Sequence, residues 1–100
     1  MTDKKTVLVT GAARGIGLET ARRFLQAGWR VAMLDILEAE LIAAAGAFAS
    51  ADVLAVPGDV SNPQQAPAAV AAAAKRFGRL DALVNNAGVA DFGPIERTDF

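Results

Sequence analysis

The sequence predicts an α/β chain built on an open parallel sheet with helices packed against it. Three observations carry that expectation. Short β-branched or apolar runs alternate with helical stretches, the runs start at roughly 25-residue intervals, which suits strand–helix–strand units, and no hairpin dipeptide of the Asn-Gly type lies between them. Such alternation implies right-handed crossovers between parallel strands. Strands of that kind are covered on both faces and read as continuous apolar runs, as these do.

The strands are expected at Thr6–Thr10, Arg30–Leu34, Val53–Val56 and Leu80–Val84. The first helix is expected from Ile16 to Ala27, with Gly28 as its C-terminal cap. Ile16, Thr20 and Phe24 share one four-residue spacing and Gly17, Ala21 and Leu25 another, together a packing face. The second helix is expected from Glu38 to Ala49, with Leu41, Ala45 and Phe48 on one side and Gly46 weakening it. The third opens on Ser61-Asn62-Pro63, a cap followed by a tolerated proline, presents Val70, Ala74 and Phe77, and stops at Gly78.

Composition removes several chemistries. Hydrophobic residues make up 53% of the 100 residues, enough for a core, and the net charge of −1 comes from interspersed acids and bases. No basic stripe suggests nucleic acid and no polybasic patch suggests an anionic membrane. With no cysteine and no histidine, thiolate nucleophiles, disulfides, Ser-His-Asp triads and the common zinc sites are unavailable. Val7-Leu8-Val9 is too short for a signal-peptide core and no run is long enough for a membrane span, so a cytoplasmic chain is expected. The sequence stops at Asp99-Phe100, just after Thr98 has set up a helix start, which predicts residues 1–100 to be a partial domain.

The informative segments follow the strands. They are Thr10-Gly11-Ala12-Ala13-Arg14-Gly15-Ile16-Gly17, then Asp35, then Gly58-Asp59-Val60, then Asn85-Asn86-Ala87-Gly88. In a parallel sheet all four lie at one edge, where open α/β sheets bind ligands. A strand turning directly into a helix aims free amides and the positive end of the helix dipole at whatever fills the turn, worth roughly 0.3–1 kcal/mol for an anion at an exposed site. Gly11 would permit the tight turn, Gly15 the close approach of a pyrophosphate, and Gly17 close helix-on-strand packing. A glycine-rich turn alone is weak support; this one follows a strand and opens a helix.

Asp35 closes the second strand, close to the ~20-residue spacing after the glycines that suits an acid binding the adenosine ribose. It would also repel a 2′-phosphate by roughly 3 kcal/mol before screening, for charges about 5 Å apart at an effective dielectric near 20. That favours NAD over NADP. Arg14 argues mildly the other way, as a base that could meet a 2′-phosphate, and Ile36 adds no positive charge. Asp35 would otherwise be an ordinary strand-end acid or cap. Asp59 and Val60 are placed against the adenine, although a turn aspartate is the simpler reading of Asp59. Asn85 either braces the loop or meets the cofactor, and Gly88 leaves room for the cofactor or a ribose. Arg22, Arg23, Glu38, Glu40, Lys75, Arg76 and Arg79 read as solvated helix faces and ends, with no role.

Taken in this order and spacing, Thr10-Gly11 to Gly15-Ile16-Gly17, Asp35, Asp59-Val60 and Asn85-Asn86-Ala87-Gly88 resemble the short-chain dehydrogenase/reductase family, over essentially the whole sequence. Phe92-Gly93-Pro94-Ile95 is similar to the loop leading to that family's next helix. The resemblance implies a Rossmann-type doubly wound sheet, here the N-terminal half with strand order 3-2-1-4. It implies NAD(P)-dependent hydride transfer between an alcohol and a carbonyl, with small-molecule substrates and a homo-oligomer at full length. The cofactor-binding set is then Gly11, Ala13, Arg14, Gly15, Ile16, Gly17, Asp35, Asp59, Val60, Asn86, Ala87 and Gly88. The family's serine, tyrosine and lysine map to nothing here, since the sequence holds no tyrosine, so no catalytic residue and no metal ligand is assigned. Residues 1–100 alone are expected to fold poorly, with the fourth strand as an exposed edge, and to turn over no substrate. A non-catalytic redox-sensing module is the alternative. An S-adenosylmethionine site fits less well, given the three residues between Gly11 and Gly15 and the Asn-Asn-Ala-Gly segment.

Overall fold

The computed structural model describes residues 4–86. Strands β1 (Thr6–Thr10), β2 (Arg30–Asp35), β3 (Val53–Pro57) and β4 (Ala82–Asn85) alternate with helices α1 (Gly15–Gln26), α2 (Glu38–Ala47) and α3 (Gln65–Phe77). The sheet is parallel with order β3-β2-β1-β4, as the family resemblance implies. β1 lies in the middle, every residue buried.

Side chains alternate between the two faces of a strand, and the core divides accordingly. Val7, Val9, Val31 and Met33 point to the face covered by Ala21 of α1 and Leu41 of α2. Leu8, Ala32 and Leu34 point to the opposite face, under Ala69, Ala73 and Phe77 of α3. Truncating a buried leucine such as Leu8 to alanine would cost about 2–5 kcal/mol. The chain passes from one face to the other between β3 and β4. The strand order therefore reverses beside β1, and ligands bind at such a point.

Several boundaries differ from the sequence reading. β4 begins at Ala82, because Arg79 and Asp81 are occupied with each other and with the start of β1. α2 ends at Ala47, since Ala49 takes a positive φ of 49° that a helix cannot continue through. The larger difference is α3, which starts at Gln65 and not at Ser61. Residues 61–64 make a turn of their own, in which Asn62 Oδ1 accepts the Gln64 amide and no side chain caps the helix. Pro67, not Pro63, is the proline in the first turn, where its missing N–H costs nothing. The buried row of α3 is Ala69, Ala73 and Phe77, so Val70 and Ala74 flank the contact. In α1 the row Gly17–Ala21 packs inward, whereas Ile16 is 77% exposed.

Candidate functional site

The glycine-bearing turn sits at the carboxyl edge of β1. Gly11 and Gly15 have φ of 62° and 63°, backbone that a β-carbon disfavours. A β-carbon on Gly15 would meet nothing within 4 Å, so the space above the turn is open. On Gly17 it would lie 1.9 Å from the Gly11 carbonyl oxygen. The sequence reading gave Gly17 a place against a strand; the contact is with the turn itself, so helix and turn are locked face to face. Arg14 occupies the cap position without a side-chain cap bond. The first bond back into the helix runs from the Leu18 amide to the Arg14 carbonyl. The amides of Gly15, Ile16 and Gly17 are thus first-turn donors left for a ligand. Ala12 and Ala13 are buried beneath the turn.

Asp35 ties this turn to the second strand. One carboxylate oxygen accepts the Ala13 amide at 2.9 Å and the other accepts the Leu37 amide at 3.0 Å. Its carbonyl accepts the Gly58 amide, and the Leu34 carbonyl accepts the Ala12 amide. A carboxylate offers about four acceptor positions, so two remain for further donors. The sequence reading gave Asp35 to a ligand; it is also the brace that joins three loops. The cleft beside it is lined by Gly11, Leu34, Asp35, Ile36, Gly58, Asp59, Val60 and Ser61. The glycine turn, Asp35, Asp59 and Val60 are therefore together, as expected.

The Asp59 carboxylate accepts both the Ser61 amide and the Ser61 hydroxyl, and these bonds hold its pKa below the usual carboxylate range. Its own amide donates to the Gln65 side-chain oxygen. On the other side, the Thr10 hydroxyl donates to Asn85 Oδ1 and accepts the Asn86 amide, both at 2.9 Å. Asn85 thus braces the β1–β4 edge. The Asn86 side-chain nitrogen is buried with no partner among the described residues. Ala87, Gly88, Phe92–Ile95 and Thr98 lie outside the described residues.

Other residues in or beside this cleft have no site role in the sequence reading. Gln65 was hidden by placing the start of α3 too early. Ile36 is 63% exposed at the cleft wall, and a large apolar side chain left exposed next to an acid is the signal that could have flagged it. Glu40 was taken for a solvated helix face, yet it pairs with Arg14, Nε to Oε1 3.6 Å. Among the described residues no group of three acids, histidines or cysteines could hold a metal, and no helix is long and apolar enough to cross a membrane.

A parallel sheet with a glycine turn, free helix amides and an acid at the end of the neighbouring strand defines a nucleotide-binding α/β protein. The comparisons narrow this. The family model described as short chain dehydrogenase matches residues 5–100. Galactitol 2-dehydrogenase of Agrobacterium fabrum is 43% identical over 93 residues, covering 93% of this chain and 36% of that protein. The 3-ketoacyl-(acyl-carrier-protein) reductase of Brucella melitensis, solved with NADH, superposes with a TM-score of 0.75 at 38% identity, covering 79% of this chain and 32% of that one. An actinorhodin polyketide ketoreductase solved with NADPH gives 0.80 at 40% identity, covering 86% and 34%. The chain belongs to the short-chain dehydrogenase family and spans about a third of the length of these relatives. Its neighbours include both NADH and NADPH complexes.

Proposed function

We propose that this chain supplies the NAD-binding part of an oxidoreductase acting on an alcohol/carbonyl pair. The observation that carries the reading is the Asp35 carboxylate, fastened to the Ala13 amide at 2.9 Å while it faces the cleft. The brace sets the acid at a fixed distance from the turn, so one ligand can meet both. In this reading the pyrophosphate lies on the amides of Gly15, Ile16 and Gly17. The ribose hydroxyls donate to Asp35, and the adenine rests between Ile36, Asp59 and Val60. The family resemblance adds Asn86, Ala87 and Gly88 to the residues that meet the cofactor. Bound there, the nicotinamide ring gives or takes a hydride; this chain's residues bind and orient the dinucleotide. A negative charge at the ribose supports NAD over NADP, by repelling a 2′-phosphate and leaving it with unpaid desolvation.

The test is a titration of the full-length protein with NADH, NADPH and S-adenosylmethionine, followed by tryptophan fluorescence. NADH is expected to bind at least about tenfold more tightly than NADPH, a difference of about 1.4 kcal/mol, with no binding of S-adenosylmethionine. Equal or reversed affinities would overturn the NAD assignment. The resemblance places the catalytic serine, tyrosine and lysine outside this chain. Tight NADH binding with no oxidation of any alcohol across a panel of polyols and hydroxyacyl compounds would favour a redox-sensing module instead.

A further inference from the structure

Arg14 and Asp35 make opposite demands on a cofactor. The acid disfavours a 2′-phosphate, and the base, one residue beyond the amide that Asp35 accepts, would welcome one. The fold contains a group that decides between them. Glu40 stands in the first turn of α2, and its Oε1 lies 3.6 Å from Arg14 Nε. We infer that Glu40 is a specificity-determining residue, which holds the Arg14 guanidinium against α2 and so withholds it from the 2′ position of the adenosine ribose. The inference rests on the cofactor reading above.

Two features favour this placement. α2 is the helix that follows β2, so its first turn rises directly after Asp35 and Leu37, whose amide the same carboxylate accepts. Glu40 is therefore fixed relative to the ribose-binding acid through a loop of two residues, 36 and 37. The position also suits a carboxylate, because the N-terminal turn of a helix carries a partial positive charge that attracts an anion. Glu38 lies in the same turn. Arg14 thus pairs with one acid of a turn that also carries Glu38, and a dianionic phosphate brought to the arginine would have to displace Glu40 beside that second charge.

The pair is exposed, 71% for the Arg14 side chain and 52% for Glu40, so the effect is modest and shrinks with salt. Its signature is coupling. Removing the Glu40 charge should help NADPH only while Arg14 is present to use its freedom. A Glu40 that merely repels phosphate through space would help NADPH whether or not Arg14 is there.

The experiment is a double-mutant cycle in the full-length protein, reading the ratio of NADPH to NADH affinity at low ionic strength by fluorescence titration. Glu40→Gln is expected to raise that ratio about threefold, the scale of an exposed ion pair. Glu40→Asp, with a shorter reach to the same base, should fall between wild type and Glu40→Gln. In an Arg14→Gln background the Glu40→Gln change should leave the ratio unaltered. The inference is overturned if Glu40→Gln leaves the ratio unchanged, or raises it equally without Arg14. In either case retained NADH binding shows that the protein is folded and the cofactor reading intact. Wild-type protein that binds neither dinucleotide would instead sink the cofactor reading, and the inference with it.

Discussion

The two edges of this sheet use the same side chain for opposite ends. At the amino edge, aspartates meet cations. Asp52 takes Lys4 Nζ at 2.6 Å and Arg30 Nε at 3.6 Å. Asp81 takes Arg79 at 2.6 and 2.8 Å and the Thr6 amide at 2.8 Å. At the carboxyl edge, Asp35 and Asp59 are held by backbone amides and the Ser61 hydroxyl. The first arrangement cancels charge and fastens strand starts. The second fixes loop geometry while leaving negative charge and open acceptor positions in a cleft. The partner, not the residue type, makes one acid a clasp and leaves the other with acceptor positions open to the cleft.

The sharpest way to break the carboxyl edge is Gly17→Ala. The new methyl would stand 1.9 Å from the Gly11 carbonyl oxygen, so the turn must shift. A stability loss of about 1–3 kcal/mol is expected, with NADH affinity falling at least about tenfold; thermal unfolding and titration check the two. Asp35→Asn is next. Its amide nitrogen cannot accept, so the Ala13 or the Leu37 amide loses its partner, at about 1–3 kcal/mol for a buried donor. Without the negative charge the NADPH-to-NADH affinity ratio should rise about tenfold or more, three times the effect of Glu40→Gln. A ratio that did not move would show that Asp35 is a brace only.

The amino edge should answer differently. Asp52→Asn is expected to cost about 0.5 kcal/mol and to leave NADH affinity where it was; a coupled loss of affinity would show that the edges do not act separately. Acid should loosen this edge. The Lys4 hydrogen bond above all holds the pKa of Asp52 down, and the Arg79 bond does the same for Asp81. A folded pKa below the unfolded one means that the stabilisation is complete above the ordinary carboxylate range. It is then lost as pH falls from about 4 through the lowered values. Protection of the Thr6 amide, corrected for intrinsic exchange, should decline over that interval, and a decline beginning near neutrality would contradict the assignment.

These edges were unequally legible in the sequence. Strand cores such as Val7-Leu8-Val9 and the glycine spacing from Gly11 to Gly17 are local patterns, and local patterns set strands and turns. Distance along the chain suffices to propose Asp35 as a ligand group, but its bond to Ala13 joins two loops, and no local pattern encodes such a contact. Ser61-Asn62-Pro63 resembled a helix start because turns and caps use the same residues. Of the two rows read as the packing face of α1, the one on Gly17 and Ala21 is buried while Ile16 is exposed, because only a glycine fits against the Gly11 carbonyl. Glu40 was invisible for a plainer reason: an exposed glutamate on a helix is usually solvated, and only the fold brings Arg14 to it.

The central claim is that one dinucleotide spans the glycine turn and Asp35. A crystal structure of the full-length protein with NADH tests it most directly. It should show the linked phosphates on the amides of Gly15, Ile16 and Gly17, and both hydroxyls of the adenosine ribose within hydrogen-bond distance of the Asp35 carboxylate, with the Ala13 bond kept. A dinucleotide seated elsewhere, or an adenosine ribose turned away from Asp35, would contradict the claim.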